Sequence, residues 1–269
     1  MTALTQPRTG SGIGRVFEHR WLQYRRTYRA TIFSSFLTPI LFLGAMGLGL
    51  GTYVDDGTGQ AALGGVPYIV FLAPGLLVAT CMQAAAFESA FPMMAGLRWS
   101  RIFHAMYAAP ISGPDVAIGN LAWIGARMLL VATVFTAIIV AFGAAGSPYI
   151  VLAIPVAALT GLAFAAPIMA FCATQKTPDR FNAVFRFGIT PLFLFSGTFF
   201  PVEQLPTIVQ PLAWITPLWH GVWLARGLSL ETIGDEPVLA VIHLAILFGF
   251  AIVGTVLAVR TVTRALVRG

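Results

Sequence analysis

Two ionisable residues, Glu88 and Arg127, stand inside apolar stretches of this chain of 269 residues. A charge in hydrocarbon is costly, so such residues mark an ion pair, a water-filled cavity or a transport path. Arg127 lies about 14 Å into its stretch at the rise of an α-helix. Two arrangements are open: the carboxylate and guanidinium pair, or each separately snorkels or faces an aqueous vestibule. Other reactive types are sparse. A P-loop needs glycine-rich backbone and a lysine to hold phosphates. The single lysine, Lys176, sits in Thr174-Gln-Lys-Thr-Pro178 with no glycine before it, so ATP is not held in that way. His19, His104, His220 and His243 are scattered, with no His-x-x-x-His and no carboxylate at ligand spacing. No Gly-x-Ser-x-Gly elbow occurs. Cys81 and Cys172 fall in apolar runs and read as small buried residues. The chain itself is therefore expected to be non-catalytic, with no metal site and no cofactor of its own.

The elements that carry these charges are set by composition. The chain is 58% hydrophobic and 10% charged, against about 45–50% and about 25% in a soluble domain. Lipid must therefore be the solvent for much of it. Roughly 20 apolar residues cross the hydrocarbon as a helix, and six runs qualify: Thr31–Tyr53, Val66–Ala90, Ile118–Phe142, Tyr149–Ala173, Asn182–Phe200 and Val238–Arg260. The second stays weakly polar to Gly96, so its helix extends beyond the core. The first is too long for a signal-peptide core and lacks a small-residue cleavage site, so it is expected to stay as a helix. The expected fold is an all-α polytopic membrane protein with six transmembrane helices, in one domain over residues 1–269.

Charge placement orients the spans. Arg8, Arg15, Arg20, Arg25, Arg26 and Arg29 precede the first span. Arg98 and Arg101 lie between spans two and three, Lys176 and Arg180 between four and five, and Arg260, Arg264 and Arg268 in the tail. The alternate loops hold Asp55, Asp56, Glu203, Glu231, Asp235 and Glu236, with Arg226 as their basic residue. Basic loops stay in the cytoplasm, so both termini are expected there. The net charge of +6 is explained by topology, and no nucleic-acid partner is expected.

Three segments are not simple spans. Gly14–Ala30 mixes Trp21 and Tyr24 with arginines and reads as an interfacial helix on the inner leaflet, or as a basic flank of no fixed geometry. In Leu97–Asp115, Trp99, Ile102, Phe103 and Met106 recur at helical spacing until Pro110 and Gly113-Pro114 stop the run. That short amphipathic helix either docks another chain or rests on the membrane. Phe199–Pro237 is too apolar to be a solvated loop, and Pro201, Pro206, Pro211 and Pro217 cut it into pieces shorter than a span. Two short helices dipping into the outer leaflet fit it, with Trp214, Trp219 and Trp223 at the interface. In span one, Gly47 and Gly51 form a Gly-x-x-x-Gly pair, for packing within the chain or between protomers.

In this order the pieces resemble the permease subunit of ABC-2 type exporters. Arg98–Ser112, ending Ala108-Ala-Pro-Ile-Ser112, is similar to that family's coupling helix. Phe195-Ser-Gly-Thr-Phe-Phe-Pro-Val-Glu-Gln-Leu-Pro206 resembles its signature after span five. Pro217-Leu-Trp-His220, followed by Arg226, resembles the end of its re-entrant hairpin. Phe71-Leu-Ala-Pro-Gly75, Ala86-Phe-Glu-Ser89 and Ala158-Leu-Thr-Gly-Leu-Ala-Phe164 are similar to the nodulation-factor exporter (NodJ-like) permeases, and daunorubicin-resistance permeases share the main signatures.

The resemblance implies a bacterial inner-membrane exporter of an amphiphile: a lipid, glycolipid, lipid-linked saccharide or hydrophobic drug. Two permeases, identical or paralogous, would pair, with two ABC ATP-binding subunits holding ATP and Mg. It implies a coupling helix over 97–110, with Leu97, Arg98, Arg101, Ile102, Met106 and Pro110 facing the ATPase. It implies a re-entrant hairpin over 201–229 carrying Pro201, Pro206, Trp214, Pro217, Trp219 and His220. Spans one and five would line the path. An ion-coupled secondary transporter or a membrane-embedded enzyme is the alternative. Against the former, no internal repeat is visible.

Overall fold

The computed structural model describes residues 11–56 and 59–268, and the regular elements among them are all helical. Arg8 lies outside the described residues, as does the side chain of Arg29. No glycine or proline occurs between Arg15 and Thr38, so nothing stops a helix there. The interfacial segment 14–30 and the start of span one accordingly form one helix, α1 (Gly12–Phe42), with no break at the expected boundary after Ala30. It runs on through a π-helical stretch, Leu43–Leu50, into α2 (Gly51–Asp55). There Gly47 meets α4: a Cβ at this position would stand 2.7 Å from Ile69 Cγ1. Gly47 of the Gly-x-x-x-Gly pair thus serves a close approach inside the chain, whereas a Cβ at Gly51 would meet nothing nearer than 3.9 Å.

After the short α3 (Gly59–Ala62) comes α4 (Tyr68–Met94), whose first backbone amide, that of Tyr68, donates to Asp55 Oδ1 at 2.9 Å. A carboxylate is favoured at that end of a helix dipole. A π-helical turn, Ala95–Trp99, extends α4, giving about 48 Å of helix against about 30 Å of hydrocarbon. The chain then breaks at Arg101, a non-glycine residue with φ +53°, and forms α5 (Ile102–Ala108). α6 (Gly113–Ala141) starts on a capping box: Ser112 Oγ accepts from the Asp115 amide, and Asp115 Oδ2 accepts from the Ser112 amide. It stops at Gly143, φ +66°, where the amides of Gly143 and Ala144 donate back to Val140 and Ile139. That is the hydrogen-bond pattern of a glycine-terminated helix.

α7 (Ala153–Thr174) is followed by α8 (Asp179–Val184), a π-helical stretch (Phe185–Ile189) and α9 (Thr190–Phe195). The expected span 182–200 is therefore helical only to Phe195; Gly197, φ +82°, turns the chain. Then come α10 (Gln210–Trp214), α11 (Pro217–Ser229) and α12 (Pro237–Arg268).

α7 packs on α4, α6 and α12, α1 lies on α6, and α11 fits against α4, α7 and α12. The α4–α7 seam is rich in small residues, including Ala85, Ala158, Gly161 and Ala165, which let helix backbones approach where lipid gives no hydrophobic drive. Among the described residues four helices are long and apolar enough to cross a membrane: Tyr68–Trp99, Gly113–Ala141, Pro148–Thr174 and Pro237–Arg268. The apolar window of the first is 72% buried and that of the last 22%, so α4 is a central helix and α12 an outer one.

Candidate functional site

Three places gather the polar chemistry. In the first, α4 brings Glu88 to Arg127 of α6, and the two form an ion pair. The same carboxylate pairs with Arg20 of α1 at 3.5 Å. The cluster holds two guanidiniums to one carboxylate. Glu88 and Arg20 are buried, and Arg127 sits over the Tyr24 ring at 5.6 Å. Burial makes each partner obligatory, because an unpaired charge there is strongly destabilising. Sequence reasoning singled out Glu88 and Arg127 but took Arg20 for a topological charge. Its sign was its place one turn from Phe17 and Tyr24, on a helix that has to pack.

Beside this cluster α1 and α6 leave a mostly apolar cleft of about 450 Å³, walled by Phe17, Trp21, Tyr24, Trp123 and Leu130, with Arg127 and Glu18 on its lining. Trp123 is its anchor, 5.6 Å from Phe17, 6.2 Å from Trp21 and 5.5 Å from Tyr24 between ring centroids. Such a cleft suits an apolar chain, held by aromatic faces with charges of both signs at its edge.

The second place is the α4–α5 corner. The expected continuous helix over 97–110 is two pieces, and its single face is split. Leu97 is buried at the end of the π-helical turn, and Arg98 Nε donates to the Gln175 carbonyl at 3.2 Å. Trp99 is 60% exposed, whereas Phe103 is buried. The left-handed Arg101 rotates α5 out of phase with the preceding helix. Gly96 makes the corner possible, since a Cβ there would overlap the Phe103 ring. Ile102 and Met106 pack inward against the core. The outward surface is Arg101, Ala105, Tyr107, Ala108, Ala109 and Pro110. Burial, with the charges of Arg101 and Arg98, pushes His104 below its ordinary value.

The third place is α10–α11. Pro201 precedes a 3-10 turn, Pro206 opens the next turn, and Pro217 occupies the first turn of α11, where its missing N–H costs nothing. Trp214 and Trp219 stand 6.4 Å apart. His220 reaches His243 of α12, Nδ1 to Nδ1 at 2.6 Å, so one imidazole donates and the other accepts. Trp219 and Trp223 flank the pair, at 4.9 and 4.4 Å from the His243 ring. Sequence reasoning named His243 but missed its contact with His220, because 23 residues separate the two histidines and no spacing rule links them.

Arg226 is the larger correction. Read from sequence it is the basic residue of an otherwise acidic set of loops. In the structure it donates to the carbonyls of Phe71 (3.2 Å), Gly197 (2.8 Å) and Thr198 (3.5 Å), with its guanidinium 3.6 Å over the Phe71 ring. It satisfies the unwound backbone after Phe195. Irregular backbone survives inside such a bundle only with partners of this kind.

The family described as ABC-2 type transporter matches residues 13–230 of this chain. Nodulation protein J of Sinorhizobium fredii is 31% identical over 251 residues, 93% of this chain and 92% of that protein. Nodulation protein J of Rhizobium leguminosarum bv. viciae is 29% identical over 269 residues, the whole of both. The inner membrane transport permease YadH of Escherichia coli is 23% identical over 231 residues, 84% of this chain and 85% of that one.

Proposed function

The chain belongs to the ABC-2 type transporter family, and from that premise we propose that it is the permease of an exporter that draws its energy from ATP hydrolysed in a separate subunit. It is a multi-pass membrane protein, with apolar helices of spanning length. In the proposed assembly two permeases, identical or paralogous, each dock on an ABC ATP-binding subunit carrying ATP and Mg. The six-span topology adds 31–53 and 182–200 to the four long apolar helices. Both termini then lie in the cytoplasm of a bacterium, the membrane being its inner one.

The observation that carries the reading is the α4–α5 corner. α5 is short and pinned from beneath by Phe103, and it offers Arg101, Tyr107 and Pro110 outward. A buried anchor with an exposed outer face can transmit a push into α4, to which the turn 95–99 joins it. Arg101 in the left-handed region stores backbone strain of about 1–2 kcal/mol, and such strain concentrates at switch regions.

The cargo we propose is an amphiphile: a lipid, glycolipid, lipid-linked saccharide or hydrophobic drug. The aromatic cleft between α1 and α6 supports it, its walls being apolar with both a guanidinium, Arg127, and a carboxylate, Glu18, on its lining. Reconstitution tests the proposal. The full chain should retain a P-loop ATPase on purification, and vesicles holding both should move a fluorescent amphiphile only with ATP. Arg101→Glu should leave insertion intact and cut transport per ATP hydrolysed. Transport driven by an ion gradient without the ATPase would refute the reading.

A further inference from the structure

At the same end of the bundle as the α4–α5 corner lies a second cleft, of about 490 Å³, which shares Arg98 with that corner and is otherwise lined from α7, the turn after it and α12. Four cations line it from three separate segments. They are Arg98 at the end of the α4 extension, Lys176 in the turn after α7, and Arg264 and Arg268 in the last two turns of α12. Among the described residues no carboxylate lines it, and none pairs with any of the four. Arg98 uses Nε on the Gln175 carbonyl, leaving the two terminal nitrogens of its fork as donors. Lys176, Arg264 and Arg268 are exposed. Basic residues suit helix C-termini and cytoplasmic loops for general reasons. Those reasons do not call for four to converge on one concavity without an acid among them.

The neighbourhood says what the anion is attached to. Val253, Leu257, Thr261, Arg264 and Arg268 follow one another at three- and four-residue steps, so they share one face of α12. Val253 is 60% and Leu257 45% exposed. The cationic cleft therefore continues directly into an exposed apolar stripe along an outer helix. A free anion needs only the cleft; a phosphate bearing acyl chains uses both.

We propose that this cleft is a binding site for the phosphate headgroup of an anionic phospholipid, with its acyl chains along the Val253–Leu257 stripe. Arginine forks bind phosphate oxygens in pairs, and the lysine adds a point charge. The inference rests on the topology above only for which leaflet supplies the lipid. The site itself stands on the cleft.

The test uses the full chain in phosphatidylcholine nanodiscs doped with phosphatidic acid, with retained lipid read by native mass spectrometry. Each basic residue near the surface contributes about 1 kcal/mol toward an anionic lipid. Arg264→Gln with Arg268→Gln should thus weaken phosphatidic acid retention about thirtyfold. Arg25→Gln with Arg186→Gln removes the same charge from exposed positions outside the cleft and should change it little. Equal losses in the two double variants would reduce the site to general surface charge and overturn the proposal. Displacement of the lipid by millimolar inorganic phosphate would assign the cleft to a free anion. Unchanged lipid retention with loss of a copurifying protein would assign it to a protein partner. None of these readouts depends on transport, so the exporter reading can fail while this one stands.

Discussion

Replacing Glu88 by glutamine is the sharpest perturbation of the ion cluster. The change is nearly isosteric, so packing is kept and only the charge is lost. It leaves Arg20 and Arg127 facing each other without the carboxylate both contact. Breaking a buried pair by removing one partner costs about 3–5 kcal/mol, and here one carboxylate serves two cations. For a chain of this size that corresponds to a fall of roughly 6–20 °C in the unfolding midpoint, measured in detergent by intrinsic fluorescence. The double variant Glu88→Gln with Arg127→Gln should recover much of the loss, because one of the stranded charges goes with it. Coupling of about 2 kcal/mol or more is expected, within the range for residues in contact. The deficit should also persist in high salt, since buried pairs are little screened. A Glu88→Gln protein melting within a degree or two of wild type, or strictly additive single variants, would show that the three side chains do not share one field.

Arg226→Ala should destabilise at least as much as Arg127→Ala, because it strands buried carbonyls at about 1–3 kcal/mol each. Arg226→Lys should not restore it, since an ammonium lacks the planar fork, and equal thermal stability of Arg226→Lys and wild type would refute the clamp. Gly96→Ala should lift α5 off the bundle at about 1–3 kcal/mol of overpacking, seen as faster hydrogen exchange over Ile102–Ala108. Adding Phe103→Ala should relieve part of it. His104 titrates below its ordinary 6.5 in the fold, so protonation favours the open form. Its contribution is present above pH 6.5 and lost as pH falls through that value toward the depressed one. Protection in α5, with exchange corrected for the intrinsic pH dependence of amide exchange, should fall as pH drops below 6.5, and His104→Gln should flatten that dependence.

Much of the architecture was legible in the residues. The apolar runs locate the helices, because a run of about 20 apolar residues has few soluble alternatives. Ser112-Gly-Pro-Asp115 announces the start of α6, since its capping box is local chemistry. Glu88 and Arg127 stand out because lipid leaves charges few places to go. The helix boundaries were less legible. The apolar run 182–200 is helical only to Phe195 although Phe199 and Phe200 are apolar. Apolarity records the solvent of a residue and not its backbone conformation.

The chain's own residues determined that it lives in lipid, where its helices lie and that it lacks a P-loop, since each of these is written in composition or in spacing along one element. Only the tertiary structure decided that Arg20 joins Glu88, that His243 meets His220, that Arg226 clamps the backbone of Gly197 and Thr198, and that Met106 faces inward. These are meetings of helices far apart in sequence, and the rotation of each helix about its axis is set by packing. A left-handed residue at Arg101 shifts that phase for α5, and no periodicity read through residues 97–110 could anticipate it.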